Sequence, residues 1–232
     1  MAVMLDGPRL PAKSRMTEQL VVFLHGYGAN GNDLIAIGKQ WQTLLPDAAF
    51  AAPNAPEPCG QIAGGRQWFA LTMRDPGERW AGVNKAAPLL DTFLNAELDR
   101  LGLDGGKLAL VGFSQGTMLA LHAGLRRARA PAAILGYSGE LVAPEHQDRA
   151  VPPKPGGKPP PILLIHGNQD EVIPVEALFL SAGELARAGI ACQWHLSSGL
   201  GHGIDGEGLL HGGLFLAKCF GLKQAPGAGA RL

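Results

Sequence analysis

An excess of either charge is missing from this sequence. Lys and Arg number 20, Asp and Glu number 20, and the formal net charge over 232 residues is zero. Such a chain lacks the field that would hold a polyanion, so no nucleic-acid partner is expected. Cysteine is scarce. Cys59, Cys192 and Cys219 form no CxxC pair and are odd in number, which argues against a disulfide framework or a thiolate zinc site and for a reducing compartment. Long apolar runs are absent. None reaches the roughly 18 residues that a bilayer span requires, and Met1–Met16 holds no apolar core of signal-peptide length. A soluble, cytoplasmic protein with no membrane span is therefore expected. Aromatic residues make up only 6% while glycines number 33, which argues against a coiled coil and for many tight turns. There is no internal repeat. The length suits one domain over residues 1–222, followed by a flexible tail, 223–232.

Short apolar runs alternate with helical patterns. Leu20–Leu24, Ala48–Ala52, Leu108–Phe113, Ala132–Gly136, Ile162–His166 and Ala191–Leu196 include stretches that are apolar at consecutive positions. Strands of that kind are buried on both faces, as in a parallel sheet covered by helices. Leu90, Phe93, Leu94, Leu98 and Leu101 form one helical stripe with Asn84 as its expected N-cap. A second, deeply buried helix is expected after Ser114. Arg126, Arg127 and Arg129 suit the negative end of that helix, and Pro131 prevents its continuation. Glu176–Ala188 and Gly208–Phe220 read as two more helices. The alternation predicts an α/β sandwich with right-handed crossovers. Pro152–Pro161 carries six prolines but reads as a surface loop, because a strand pattern resumes at Ile162.

Gly112-Phe113-Ser114-Gln115-Gly116 is a G-x-S-x-G that follows a strand and opens a buried helix. That is the setting of a nucleophile elbow, where flanking glycines admit a tight turn and the serine is presented at the sheet's C-terminal edge. With 6 serines and 33 glycines, about 0.12 such matches arise by chance, so the strand–helix placement carries the specificity. A serine hydroxyl needs a base. Among seven histidines, His202 is the best placed, in a Gly-rich loop after the last strand. His122 and His211 fall on helices and His195 in a strand, which reads as structural; His146 lies in a polar loop. The base needs an orienting acid. Asp170 follows the strand Ile162–Ile165, with Glu171 beside it as the alternative; Asp205 follows His202 too closely. The order Ser114, Asp170, His202 is that of the α/β-hydrolase fold, and each residue follows a different strand.

A tetrahedral intermediate also needs donors for its oxyanion. Gly26 and Gly28 let the chain after Leu20–Leu24 turn so that the Tyr27 N–H can face the serine, and the Gln115 N–H supplies the second donor. His25 is expected to brace that loop, and Asn32 or Asp33 to cap the helix after it. Trp68-Phe69 reads either as a core pair or as a substrate-binding wall of an acyl pocket.

These segments together resemble the phospholipase/carboxylesterase family of α/β-hydrolases, which includes acyl-protein thioesterases. The matching pieces are Leu24-His25-Gly26-Tyr27-Gly28 through Asp33, Trp68-Phe69, the elbow, His166-Gly167-Asn168-Gln169-Asp170 with Val172-Ile173-Pro174, and Gly201-His202 followed by Ile204. They occur in order from about residue 20 to 205. The resemblance implies Ser114 as nucleophile, Asp170 as orienter, His202 as base, the Tyr27 and Gln115 amides as oxyanion hole, and hydrolysis of carboxylic esters, thioesters or lysophospholipids with no cofactor and no metal. Many members carry an acidic residue after the Trp-Phe pair, where this chain has Ala70. A lid in this fold usually enters after the strand near Ala132–Gly136. The stretch Tyr137–Pro161 is too rich in proline for a helical cap, so an open site for short or medium acyl esters is expected. The main expectation is a serine carboxylesterase acting on a small-molecule ester. The alternatives are an acyl-protein thioesterase or lysophospholipase, a peptidase, or a non-catalytic binding protein on the same scaffold. Apolar edges near the site would allow a homodimer.

Overall fold

The computed structural model describes residues 4–60, 62–72, 77–143 and 158–222. In chain order the elements are β1 (Arg9–Leu10), β2 (Gln19–Leu24), α1 (Gly31–Trp41), β3 (Ala48–Ala51), β4 (Glu57–Pro58), β5 (Arg66–Gln67) and α2 (Gly77–Leu101). They continue with β6 (Leu108–Phe113), α3 (Gln115–Gly124), β7 (Ala133–Tyr137), β8 (Ile162–Gly167), α4 (Glu176–Arg187), β9 (Cys192–Ser197) and α5 (Gly206–Cys219). Each apolar run singled out in the sequence becomes a strand of one seven-stranded sheet, ordered β1-β3-β2-β6-β7-β8-β9. Every neighbouring pair is parallel except β1–β3. β4 and β5 form a separate antiparallel ribbon.

Alternation along β2 shows why the sheet is buried on both sides. Leu20, Val22 and Leu24 join one core with side chains of α2, α3 and α4. Val21 and Phe23 join a second core with α1 and α5. A parallel sheet needs this double cover, because its crossovers lie on its faces. Register gathers the C-terminal strand ends at one edge: Phe113 lies opposite Tyr137, and Gly167 opposite Ser197. Among the described residues no helix is long and apolar enough to cross a membrane.

Several sequence expectations need correction. α2 begins at Gly77, so Asn84 is not its cap; the Asn84 amide instead donates to the Trp80 carbonyl at 2.7 Å. The helix runs through Pro88, which supplies no N–H to the ladder. α1 is capped by Asn30, not by Asn32 or Asp33. The Asn30 side chain accepts from Asn32 N at 2.9 Å, while Asp33 accepts from Asn30 N at 2.7 Å, a capping box. The Pro-rich loop up to residue 157, His146 and the tail 223–232 lie outside the described residues.

His122 is buried between α3 and α2, its ring edge-on to Trp80 with centroids 5.2 Å apart. Burial, reinforced by the nearby Arg126 charge, lowers its pKa to about 4. Below pH 6.5 the unfolded chain then binds a proton that the folded chain refuses, so stability falls as pH drops from 6.5 towards 4. His122→Gln should remove on the order of 3 kcal/mol of that loss, following about 1.36 kcal/mol per pKa unit. Urea unfolding at pH 7 and pH 4.5 checks it; an unchanged slope would count against a neutral buried His122.

Candidate active site

The site is assembled at the C-terminal edge of β2, β6 and β8. β6 ends in a turn so sharp that Ser114 adopts φ 53°, ψ −118°, a conformation that costs a non-glycine residue about 1–3 kcal/mol. Surrounding contacts hold it there. Ser114 N donates to the Tyr137 carbonyl at 2.9 Å, and the Ser114 carbonyl accepts from Thr117 N and Met118 N at 2.9 and 3.2 Å. The flanking glycines permit close approach: a Cβ at Gly116 would run into the Leu24 carbonyl oxygen, and one at Gly112 into the Thr117 backbone. Ser114 itself is 9% exposed.

Of the two adjacent acids, it is Asp170 and not Glu171 that meets His202. The Asp170 side chain is fully buried, whereas Glu171 is exposed. Asp170 Oδ1 accepts from Val172 N and Ile173 N, both at 2.9 Å. Its Oδ2 lies 2.8 Å from His202 Nδ1 and 3.3 Å from His166 Nε2. Burial pushes the Asp170 carboxyl up, but the Ile173 amide, His202 and the Val172 amide outweigh it and hold the pKa below the ordinary carboxylate range. Asp170 therefore stays ionised, and His202 must present Nδ1–H to it, which leaves Nε2 as the basic nitrogen. The His202 ring stands beside the elbow, its centroid 5.0 Å from that of Phe113.

The loop carrying His202 is laced to its neighbours. Gln169 N donates to the Leu200 carbonyl at 2.9 Å, Gly199 N to Asn168 Oδ1 at 2.7 Å, and Ser138 Oγ to the Gly203 carbonyl at 3.1 Å. Asp205 is occupied at the start of α5, accepting from Gly208 N at 2.7 Å and from Ser197 Oγ at 3.1 Å. It is a helix cap and does not meet His202.

The turn after β2 is fixed from below. His25 Nε2 accepts from Ala55 N at 3.0 Å, so the proton sits on Nδ1, which donates to the Gly26 carbonyl at 2.8 Å. Burial lowers the His25 pKa, with the Gly26 bond opposing it, and the neutral ring acts as the expected brace. Gly28 N donates to the Arg66 carbonyl and Arg66 N to the Ala29 carbonyl, each at 2.9 Å. The backbone N–H groups of Tyr27 and Gln115 donate to no acceptor among the described residues, which leaves both available to an anion.

Trp68 and Phe69 are 1% and 2% exposed and belong to the core beneath the site. Their traceable contribution is support, not an open pocket wall. Trp68 Nε1 donates to the His25 carbonyl at 2.9 Å. The Gln115 side chain clamps the pair, accepting from Trp68 N at 2.9 Å and donating to the Phe69 carbonyl at 2.8 Å. Sequence reasoning missed this clamp, the Ser138 tether and the placement of His166 behind Asp170. For His166, its position four residues before Asp170 in a strand-to-loop turn was the available signal.

With this geometry in view, the chain was compared with known proteins. The family model described as Phospholipase/Carboxylesterase matches residues 5–220. The chain is similar to acyl-protein thioesterase 1 of Gibberella zeae, 28% identical over 90% of this chain and 93% of that protein. It is equally similar, at 28% identity over 88% and 82% of the two chains, to esterase YpfH of Escherichia coli strain K12. Among solved structures, esterase PE8 superposes with a TM-score of 0.86 at 43% identity, covering 94% of this chain and 100% of that one.

The elbow's close packing makes a stability prediction. Gly116→Ala should lower stability by at least about 3 kcal/mol, the upper end of ordinary overpacking, because the obstacle is a backbone carbonyl that cannot swing aside. The shift in urea midpoint measures it; a loss below about 1 kcal/mol would mean that β2 and α3 approach less closely than described.

Proposed function

The chain belongs to the phospholipase/carboxylesterase family, and on that premise we propose a serine esterase that cleaves short- to medium-chain carboxylic esters through an acyl-enzyme. The observation that carries the reading is the buried Asp170–His202 hydrogen bond of 2.8 Å, with the His202 ring centroid 5.0 Å from that of Phe113, the residue before the strained Ser114. In this reading His202 Nε2 accepts the Ser114 proton as Oγ attacks the acyl carbonyl. The Tyr27 and Gln115 amides receive the oxyanion; one such donor is typically worth about 2.7–4 kcal/mol of barrier. His202 returns the proton to the departing alcohol, and the acyl group remains on Ser114. Water then gives its proton to His202 and attacks the acyl-enzyme, and His202 passes that proton to Ser114 Oγ as the acyl–Oγ bond breaks and the acid leaves. Asp170 fixes the tautomer and stabilises the imidazolium. No cofactor or metal takes part.

The same reading includes a cytoplasmic location, which suits three unpaired cysteines. It also includes a homodimer formed on exposed apolar side chains such as Phe179, Leu180 and Trp194. A thioesterase is the second reading, favoured by the likeness to acyl-protein thioesterase 1; rates on p-nitrophenyl esters against matched acyl thioesters separate the two.

Ser114→Ala should keep the fold and abolish both ester turnover and fluorophosphonate labelling. Persistent turnover would refute the nucleophile, and a parent protein that folds yet resists the label would favour a binding protein. Asp170→Asn should reduce kcat on the scale of 10⁴, as the same change does in a serine protease triad. A reduction under about tenfold would move the orienting role to Glu171.

A further inference from the structure

Away from the proposed triad, two elements bring three metal-competent side chains together. His195 projects from β9, and Glu207 and His211 lie four residues apart on one face of the first turns of α5. One potential ligand atom from each falls within 4.8 Å of the other two. The two imidazole rings pack with centroids 4.4 Å apart. Both turn Nε2 towards the same carboxylate oxygen: Glu207 Oε1 is 3.8 Å from His195 Nε2 and 3.6 Å from His211 Nε2.

Those separations are too long for hydrogen bonds. They are close to the spacing of two ligands on one ion. Donors each about 2.0–2.2 Å from a tetrahedral zinc stand about 3.3–3.6 Å apart, and both separations from Glu207 lie within a few tenths of an ångström of that spacing. A second observation points to a ligand independently. His195 Nε2 is shielded from solvent and has no hydrogen-bond partner among the described residues. A buried imidazole nitrogen left unpaired is disfavoured, and a cation held by its lone pair would satisfy it. A hollow bordered by Leu163, Gln193 and Phe215 adjoins the two histidines and gives room for a water to complete the coordination.

We propose that His195, Glu207 and His211 form a binding site for a zinc-class divalent ion, with two imidazole nitrogens, one carboxylate oxygen and a water as donors. Neutral imidazole and carboxylate favour zinc and its later first-row neighbours over magnesium or calcium, which prefer all-oxygen shells. This departs from the expectation of no metal, under which His195 and His211 read as structural residues on separate elements.

The site's place in the fold gives it a role. β9 ends at Ser197 and α5 starts at Gly206, and the chain between them carries His202. Ser197 and Asp205 already close that loop with a hydrogen bond of 3.1 Å. An ion joining His195 to Glu207 and His211 closes it a second time, one step further from the sheet edge. It acts as a clamp on the loop's base and takes no part in ester chemistry, so the inference stands independently of the proposed reaction.

The test is calorimetric titration of the chelator-stripped full chain with zinc chloride, paired with thermal melts. The expected result is one ion per chain and a higher Tm with zinc. His211→Ala and Glu207→Gln, which alter partly exposed positions, should each weaken binding more than about 100-fold, since losses outside the first coordination shell alone cost about 10–100-fold. Melts of both variants without zinc confirm that they fold. His202→Ala should retain full zinc binding. Absence of binding to the parent chain would overturn the proposal. So would unchanged affinity in both variants, or loss of the ion in His202→Ala alone, which would put the metal at the triad.

Discussion

The buried carboxylate of Asp170 is the constraint on which the site is organised. Both its oxygens are committed, one to two backbone amides and the other to His202, while the nearby His166 donates its Nε2–H to the Ile173 carbonyl at 2.8 Å. A carboxylate taken fully out of water is tolerable only when so many donors meet it. Those donors come from the turn after β8 and from the loop between β9 and α5, so satisfying the charge fixes their relative positions. The imidazole tautomer follows from that requirement, and with it the nitrogen left free for the proposed role of base.

The turn after β2 is organised differently, by neutral hydrogen bonds to a braced backbone. His25, Trp68, Arg66 and the Gln115 side chain each meet main-chain groups of other segments. For the proposed oxyanion hole, the result is two backbone amides held by a braced frame instead of by side chains that must be ordered when substrate arrives, which is what electrostatic preorganisation requires. Gln115 does both tasks, its N–H belonging to the elbow while its amide group holds the segment that supports the other donor.

Much of this was legible in the sequence because its signals are local. Consecutive apolar residues in Leu108–Val111, a glycine-flanked serine and an apolar helix directly after it can define only a few arrangements. The sites of Ser114, Asp170 and His202 followed from strand ends. Missing features are short or distant. β1, β4 and β5 have two residues each, too few for any periodicity to register. The α2 start was misplaced because Asn84, a residue type favoured at caps, precedes the apolar stripe that begins at Leu90, whereas the helix starts at Gly77. The Gln115 clamp spans 46 and 47 residues and the Ser138 tether 65, and loop-to-loop bonds of that span have no sequence pattern. Nor does an aromatic pair such as Trp68-Phe69 reveal whether it lines a cleft or supports one from below.

The backbone at Ser114 sets evolution a fixed conflict. The positive φ there is one that glycine adopts freely, so a glycine at this position would relax the elbow and gain folding free energy. It would also delete the hydroxyl. With Ser114 as the proposed nucleophile, selection for thermal robustness and selection for turnover pull on this single codon in opposite directions, and added stability has to come from elsewhere in the chain.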